Sequence, residues 1–204
     1  MPNWCSTEIK IRHDDKKKLE EFYDKIVEWT SKDYSENGFG NNWLGNVVGH
    51  SGIAEWDDNK NGMLTKNGQY ISCRGQITSL DMDEEITIWQ EDAWGPNVLL
   101  WVKVLLKYLP DANLIYTATE PGCGVYMTND PDMKGYYMVD IFGPPEEFYY
   151  LEPRYEVNKD DVINLCQKIL KTKENDINAL IKDVNNLDWV YITQWELCNA
   201  ADCN

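Results

Sequence analysis

The sequence has no apolar run long enough to span a bilayer, because no stretch of about 18 apolar residues occurs in its 204 residues. It also has few basic residues. The 19 lysines and arginines are outnumbered by 35 aspartates and glutamates, which gives a formal net charge of −16. Nucleic acids and anionic membranes require a cationic protein face. We therefore expect neither direct nucleic-acid binding nor membrane association.

Histidines and paired cysteines are scarce as well. The chain has two histidines and six cysteines, and no two cysteines form a C-x-x-C pair. Structural zinc sites and iron–sulfur clusters need such closely spaced ligands, so we expect no metal and no other cofactor. Residues 1–15 lack the apolar segment of a secretory signal. A chain of this length also needs no disulfides to stabilise its core. We therefore expect a cytoplasmic protein with reduced thiols.

The hydrophobic pattern predicts a mixed α+β fold. Alternating apolar residues predict a strand at 4–12, and an aspartate cap followed by apolar residues at three- and four-residue steps predicts a helix to about residue 31. Further along, the pattern predicts a hairpin at 70–80 and 85–90, a helix at 98–109 and a strand at 112–119. The order strand, helix, strand, strand, helix, strand is the split βαβ arrangement (βαββαβ), an antiparallel sheet with both helices on one face.

The remaining segments are predicted to elaborate this core. An extra hairpin is expected at 124–128 and 136–142, followed by helices at 159–171 and 176–186 and a last strand at 189–197. We expect a single domain over 1–204, with a core at 1–142 and a C-terminal elaboration at 143–204. The segment 32–68 is rich in glycine and asparagine and is predicted to be a loop-rich insertion. An insertion of this length is either functional or more regular than its sequence suggests.

Several short segments together carry a family resemblance. They are the N-terminal MPNWC, Phe39-Gly40 with Trp43, Cys73-Arg74-Gly75, Ala93-Trp94-Gly95-Pro96, Tyr108-Leu109-Pro110 and Glu120-Pro121-Gly122. Over about residues 1–142 the chain resembles the YubB ferredoxin-like family, uncharacterised proteins of bacterial plasmids, phages and genomes. The resemblance implies a ferredoxin-like α+β sandwich, in agreement with the element order, and an association with mobile elements. It implies no reaction, because a fold does not determine a function.

Negative charge is concentrated in one part of the chain. Residues 75–153 contain 14 acidic and three basic side chains, and so carry 11 of the 16 net negative charges. We predict a low-salt interaction surface for a basic protein at the acidic residues Asp81, Asp83, Glu84, Glu85, Glu91 and Asp92. Solubility alone is the alternative interpretation. Acid–base catalysis by this set is disfavoured, because the carboxylates crowd a turn in which no cleft is predicted.

Aromatic residues are abundant, with nine tryptophans and twelve tyrosines. Alternation in the last predicted strand puts Trp189, Tyr191 and Trp195 on one face, where exposed rings would stack on sugars or bases. The alternative is that these rings seal a sheet face that no helix covers. Trp4 lies in the first predicted strand, and we expect it to be a core aromatic whose truncation to alanine costs about 3 to 5 kcal/mol.

Two further motifs are weaker. Residues 57–62 match the first half of an EF-hand loop, but the twelfth position is Gly68 rather than the required glutamate, so a hydrated turn is the better interpretation. Cys123 lies between glycines with no base or positive charge nearby, which favours a hairpin over a catalytic nucleophile. His13 and His50 match no catalytic motif, and no G-x-S-x-G elbow is present. We predict no catalytic residue.

The sequence therefore predicts a non-enzymatic accessory or protein-binding module with an acidic sheet surface. Two alternatives stay open: an enzyme whose active site is dispersed along the chain, and a small-ligand or carbohydrate binder that uses surface aromatics. A deep cleft with ionisable groups of shifted pKa would favour the enzyme. Solvent exposure of Trp189 or Trp195 would favour a ring binder at the last strand, and burial would exclude it. The pattern does not determine the oligomeric state.

Overall fold

The computed structural model describes residues 3–34, 39–59, 62–120, 122, 124–148 and 154–202, apart from the side chain of Tyr155. The chain has a mixed α+β structure. It divides into two compact units: unit 1 comprises Met1–Asn129 with Cys198–Asn204, and unit 2 comprises Asp130–Leu197. The expectation that they form a single domain stays a prediction. No helix in the described ranges combines the length and the apolar character needed to cross a membrane.

Unit 1 contains eight strands and three α-helices in its described part. In chain order they are β1 (Trp4–Arg12), α1 (Lys16–Thr30), α2 (Leu44–His50), β2 (Glu55–Asp57), β3 (Gly62–Leu64), β4 (Tyr70–Ile71), β5 (Gly75–Met82), β6 (Ile86–Ala93), α3 (Leu99–Tyr108), β7 (Asn113–Glu120) and β8 (Val125–Thr128). Five strands form an antiparallel sheet in the order β8-β7-β1-β6-β5. Strands β2, β3 and β4 form a second, smaller antiparallel sheet.

One face of the main sheet is buried, because buried and exposed side chains alternate along its strands. Along β1, Ile9 and Ile11 are buried while their neighbours lie on the other face. Side chains of α1 and α3 join this buried face in one hydrophobic core. Asp15 caps α1 by accepting hydrogen bonds from the backbone N–H groups of Lys17 and Lys18. The predictions of β1, α1 and α3 are confirmed.

The segment predicted as a loop-rich insertion contains three short regular elements. Its described part contains α2 and the strands β2 and β3, with loops between them, so part of the segment is more regular than its glycine- and asparagine-rich sequence suggests. Helix α2 is buried from Leu44 to Gly49. Neighbouring rings approach its backbone so closely that two of its positions must be glycine. The ring of Trp43 occupies the space that a Cβ would need at Gly45, and the ring of Tyr34 does the same at Gly49.

Two strand predictions in unit 1 need correction. The segment 70–80 is not one strand, because β4 ends at Ile71 and β5 begins at Gly75. The β5–β6 pairing has an irregularity between Ile77 and Ser79. The predicted pairing of 124–128 with 136–142 was also wrong, since β8 pairs with β7.

Unit 2 has its own sheet and core. In chain order its elements are β9 (Tyr137–Ile141), β10 (Arg154–Val157), α4 (Lys159–Leu170), α5 (Ile177–Val184), β11 (Val190–Gln194) and β12 (Glu196–Leu197), with short 3-10 turns at Pro131–Met133 and Glu146–Phe148. An antiparallel sheet runs in the order β10-β9-β11. Val162, Cys166, Leu180 and Ile192 belong to a core separate from that of unit 1. The two predicted helices are confirmed, while the predicted last strand is interrupted at Trp195.

Candidate ligand-binding cavity

Unit 1 contains a cavity of about 640 Å³, which we name the aromatic cavity. It is lined by Trp4, Phe39, Trp43, Trp56, Gly62, Tyr70, Cys73, Arg74, Gly75, Gln76 and Ala93. Its volume falls within the range of roughly 300–1,000 Å³ that is typical of small-molecule sites. Three of its large side chains are substantially exposed: Phe39 at 57%, Trp4 at 51% and Tyr70 at 41%. Apolar rings exposed together around a concavity are a mark of a binding site.

One wall of the cavity consists of three rings in mutual contact. The ring centroid of Phe39 lies 4.6 Å from that of Trp43 and 6.2 Å from that of Trp56. The two tryptophan rings are 5.8 Å apart in an edge-to-face arrangement. These distances are typical of favourable aromatic pairs. The wall is therefore a continuous aromatic surface, and Phe39 is its most exposed part.

Glycines allow the rings to lie directly against the backbone. A Cβ at Gly45 would overlap the ring of Trp43, and a Cβ at Gly62 would overlap the ring of Tyr70. Each ring is therefore held on one side by a strand or helix of the scaffold rather than by other mobile side chains. A site whose rings are already oriented loses less conformational entropy when a ligand binds.

A buried asparagine fixes the loop that carries Phe39. Asn46, in the buried helix α2, accepts a hydrogen bond from the backbone N–H of Tyr34 at 2.8 Å. Its amide group donates to the carbonyl oxygens of Gly40 at 2.9 Å and Asn41 at 2.7 Å. These three bonds satisfy a buried polar side chain and attach the segment next to Phe39 to the core.

Trp4 contributes to the cavity from β1 and is not a core residue, contrary to our expectation. In β1 the buried positions are Cys5, Thr7, Ile9 and Ile11, so the alternation places Trp4 on the opposite face with Ser6. The register of the sheet pairs Trp4 with Ala93 at the end of β6. Both residues line the cavity, which therefore lies at this end of the β1–β6 pair.

The residue after β6 has a strained backbone. Trp94 has a φ angle of +76°, a conformation that costs a bulky L-residue about 1 to 2 kcal/mol. Its backbone N–H donates to the carbonyl oxygen of Asn3 at 2.9 Å, which holds the turn in place. Its side chain is about half exposed. Strain of this kind is found preferentially at functional sites.

The residues with polar side chains that line the cavity include Tyr70, Cys73, Arg74 and Gln76. Burial raises the pKa of the Cys73 thiol to about 12, so this group stays protonated at neutral pH. Desolvation also raises the pKa of Tyr70, with Cys73 adding to the shift and Arg74 opposing it. Both shifts move these groups away from neutral pH, which suits hydrogen bonding to a ligand better than proton transfer.

Behind the cavity lies a fully buried carboxylate. Asp92 accepts hydrogen bonds from the Thr7 hydroxyl at 2.9 Å, the Gln90 side-chain amide at 2.7 Å, and the backbone and side-chain N–H groups of Asn97 at 3.1 and 2.8 Å. Gln90 in turn accepts from the indole N–H of Trp101 at 2.9 Å. Desolvation raises the pKa of Asp92, against four hydrogen bonds that favour its charged form. We had expected Asp92 to belong to an acidic surface, and its burial shows that it does not.

Gly75 lies between Asp92 and the cavity. A Cβ at this position would overlap Oδ1 of Asp92 and the carbonyl oxygen of Glu91. Because Gly75 also lines the cavity, the buried carboxylate lies directly behind that part of the wall. The wall at Gly75 therefore depends on the same network that holds Asp92.

The predicted acidic surface is divided among different environments. A depression of about 500 Å³ is lined by Arg12, His13, Asp81, Met82, Asp83, Glu84, Glu85 and Thr87. Asp81, Asp83 and Glu84 are exposed there. Glu85 is half-buried and forms an ion pair with Arg12. Glu91 lies farther along β6 and accepts a hydrogen bond from the Ser6 hydroxyl at 2.6 Å. The structure thus brings four of the six predicted residues together at one turn.

The aromatic residues of the last predicted strand do not share an exposed face. Trp189 is half-buried and packs against Phe148, with ring centroids 5.2 Å apart. Tyr191 is half-buried, and Trp195 is only 4% exposed. The burial of Trp195 removes the third ring of the predicted stacking strip.

The other candidate motifs have ordinary structural roles or lie partly outside the described residues. The side chain of Asp57 accepts a hydrogen bond from the backbone N–H of Asn59 at 2.9 Å, as in an Asx turn. Residues 60 and 61 of the candidate calcium loop, and Cys123, lie outside the described residues. In the described part of the chain, no group of three or more histidine, cysteine, aspartate or glutamate side chains is arranged to hold a metal ion.

Sequence reasoning missed the aromatic cavity because its rings come from four separate segments. Trp4, Phe39, Trp56 and Tyr70 lie on β1, a loop, β2 and β4. A usable signal was nevertheless present, since Trp4, Phe39, Trp43 and the segment 73–75 belong to the motifs that carry the family resemblance. Comparisons of the chain with family models, with curated proteins and with solved structures find no match.

Proposed function

We propose that this protein binds a small molecule with a flat ring in the aromatic cavity of unit 1. The observation that carries the proposal is the wall of Phe39, Trp43 and Trp56 facing a concavity of about 640 Å³. Stacking on an aromatic wall contributes about 1 to 3 kcal/mol per ligand ring. The function is binding rather than catalysis, because the two cavity groups with shifted pKa values, Cys73 and Tyr70, both keep their protons near neutral pH.

The family resemblance supports this location. We propose that the chain is a member of the YubB ferredoxin-like family, and that β1, β5, β6 and β7 with α1 and α3 are its ferredoxin-like core. The strand order β7-β1-β6-β5 supports this assignment, because it is the order that a split βαβ unit produces. The motif segments at 4–5, 39–43, 73–75 and 93–96 all contribute residues to the cavity. Signature residues that are distant in sequence and converge on one concavity point to a shared binding site.

The test compares two exposed phenylalanines. Phe39→Ala should weaken binding of an indole or nucleoside probe about tenfold or more, since it removes the most exposed ring of the wall. Phe142→Ala is the matched control, because Phe142 lies in unit 2 and is 51% exposed, close to the exposure of Phe39. Ligand-observed NMR on both variants and the parent protein gives the affinities. Equal affinities in all three proteins would contradict the proposal.

A second candidate function is binding of a basic protein at the acidic depression, and the clustering of Asp81, Asp83 and Glu84 favours it. Exposed carboxylates around a depression attract lysine-rich segments at low salt. The test is titration with a lysine-rich peptide at low and moderate salt. The triple variant Asp81→Asn, Asp83→Asn, Glu84→Gln should lose the binding, and a variant that retains it would remove this candidate.

A further inference from the structure

The aromatic cavity has an unusual charge for this protein. Among its lining residues Arg74 is the one that is charged at neutral pH, and none is a carboxylate. Two other depressions in unit 1 differ in this respect. One is lined by four carboxylates at the β5–β6 turn, and the other includes Glu55, Asp57 and Asp58. In a chain with 35 acidic residues, the residues that line the aromatic cavity therefore include one cation and no carboxylate.

Arg74 is available to a ligand. Its side chain is exposed, and none of the ion pairs among the described residues involves it. Its backbone is fixed, because its carbonyl oxygen accepts a hydrogen bond from the N–H of Ala93 at 2.7 Å. A guanidinium group presents a planar pair of donors that matches a carboxylate or a phosphate.

Tyr70 provides a further hydrogen-bond donor in the same cavity. Its ring lies against Gly62, and both residues line the cavity with Arg74. The hydroxyl keeps its proton at neutral pH and is able to donate a hydrogen bond.

We infer that the ring-bearing ligand of the aromatic cavity is an anion, with its ring on the wall of Phe39, Trp43 and Trp56 and its carboxylate or phosphate group bound by Arg74. This inference rests on the proposed function and adds the chemical class of the ligand. The composition of the lining supports it, because the three rings and Arg74, which takes part in none of the ion pairs among the described residues, border one concavity.

A cationic ligand is the main competitor, since aromatic faces also bind ammonium groups. Two observations oppose it. Arg74 would repel a second cation in the same cavity. The rings of Phe39, Trp43 and Trp56 also contact one another, with centroids 4.6 to 6.2 Å apart, so they do not surround an open space as the walls of an ammonium cage do.

The test uses three probes with the same indole ring and different charge: indole-3-acetate, the neutral alcohol tryptophol and the cation tryptamine. The parent protein should bind indole-3-acetate about tenfold more tightly than tryptophol, as expected for a charge-assisted hydrogen bond at a partly exposed site. Tryptamine should bind most weakly. Ligand-observed NMR at a fixed salt concentration of about 0.15 M gives the three affinities under equal screening.

Arginine variants locate the origin of this preference. Arg74→Gln should lower the affinity for indole-3-acetate about tenfold and leave that for tryptophol unchanged. Arg74→Lys should give an intermediate affinity, because it keeps the charge and loses the paired donors. Arg154→Gln is the matched control, since it changes the net charge equally at an exposed position in β10 of unit 2.

The outcomes separate the two proposals. If tryptophol binds as tightly as indole-3-acetate, if tryptamine binds most tightly, or if Arg74→Gln leaves the preference intact, the inference is wrong while the ring site stands. If none of the three probes binds at millimolar concentration, the ring site and the inference both fail. If indole-3-acetate binds as expected, phenylacetate and phenyl phosphate distinguish the two kinds of anionic group, because the one that binds more tightly carries the group that Arg74 prefers.

Discussion

The two ends of the β5–β6 hairpin carry similar residues in very different surroundings. At the turn, Asp81, Asp83 and Glu84 are exposed to solvent. At the other end, Asp92 is fully buried and accepts four hydrogen bonds. All of them were predicted to form one acidic surface. The difference teaches that a carboxylate's role depends on which face of the strand it occupies, and charge counting does not record that face.

The alternation of side chains along β6 would have separated Asp92 from the exposed carboxylates. In β6 the buried positions are Ile86, Ile88, Gln90 and Asp92, which are two residues apart. Glu91 lies between two of them and is only half-buried. Because side chains of a strand alternate between faces, Asp92 had to share the core face with the two isoleucines. The same alternation places Trp4 outside the core.

The largest effect that would sharpen this comparison is expected for Asp92→Ala. Removal of the carboxylate leaves buried donors on Thr7, Gln90 and Asn97 without an acceptor, which should lower the free energy of unfolding by about 3 to 4 kcal/mol. Asp83→Ala, at the opposite end of the hairpin, is the control and should change it by less than about 0.5 kcal/mol. Urea denaturation measures both values. Similar losses for the two variants would show that the two ends of the hairpin do not differ in their contribution to stability.

A smaller loss is expected for Gly75→Ala. The added Cβ would overlap Oδ1 of Asp92 and the backbone oxygen of Glu91, so the hairpin must shift, at a cost of about 2 to 3 kcal/mol. Gly95→Ala is the control, because an added Cβ there meets no atom within 4 Å. Thermal unfolding of the two variants is the measurement. An unchanged midpoint for Gly75→Ala would show that the wall at Gly75 is not tightly packed.

The buried end of the hairpin should also give stability a pH dependence. Since burial raises the pKa of Asp92, the folded state holds its proton more tightly than the unfolded state does. The contribution of Asp92 is therefore largest below its unfolded pKa of about 4 and declines as pH rises through its raised folded pKa. Each unit of elevation corresponds to about 1.4 kcal/mol.

The measurement is the free energy of unfolding of the parent protein and of Asp92→Asn between pH 4 and pH 7. The variant has no proton to bind at this position, so the stability difference between the two proteins should be larger at pH 4 than at pH 7. A difference that grows with pH would mean that the pKa of Asp92 is lowered rather than raised.

Trp4, at the same end of the hairpin as Asp92, should contribute more to binding than to stability. Because its side chain is half exposed, Trp4→Ala should cost about 1 to 2 kcal/mol of unfolding free energy rather than the 3 to 5 expected of a core aromatic. The same change should weaken binding of an indole probe severalfold. Trp89→Ala, at another partly exposed position of the main sheet, controls for the loss of a tryptophan. If Trp4→Ala does not fold, Trp4 is a core residue after all.

The smallest effect is expected at the turn. Neutralising Asp81, Asp83, Glu84 and Glu85 together should change the free energy of unfolding by less than about 1 kcal/mol, because surface charges contribute little individually and the Glu85–Arg12 ion pair is partly solvated. Chemical denaturation is again the measurement. An unfolded quadruple variant would show that the turn, like the other end of the hairpin, is structural.

The sequence predicted the longer elements of the fold well. The helices α1, α3, α4 and α5 and the strand β1 were identified because each has enough residues for a hydrophobic period to be counted. The strands β2, β3 and β4 have two or three residues each, too few for any period, and glycine and asparagine around them indicated a loop. These three strands supply three of the eleven residues that line the cavity: Trp56, Gly62 and Tyr70.

The sequence by itself determined the excess of negative charge, the mixed α+β class and the principal helices, because these depend on composition and local periodicity. Only the tertiary structure decided that Phe39, Trp43, Trp56 and Arg74 line one cavity and that Asp92 lies behind it. The physical reason is that a binding site depends on distances between side chains. Those distances are set by strand register and by the close contacts that Gly45, Gly62 and Gly75 permit, and neither is encoded at a fixed spacing along the chain.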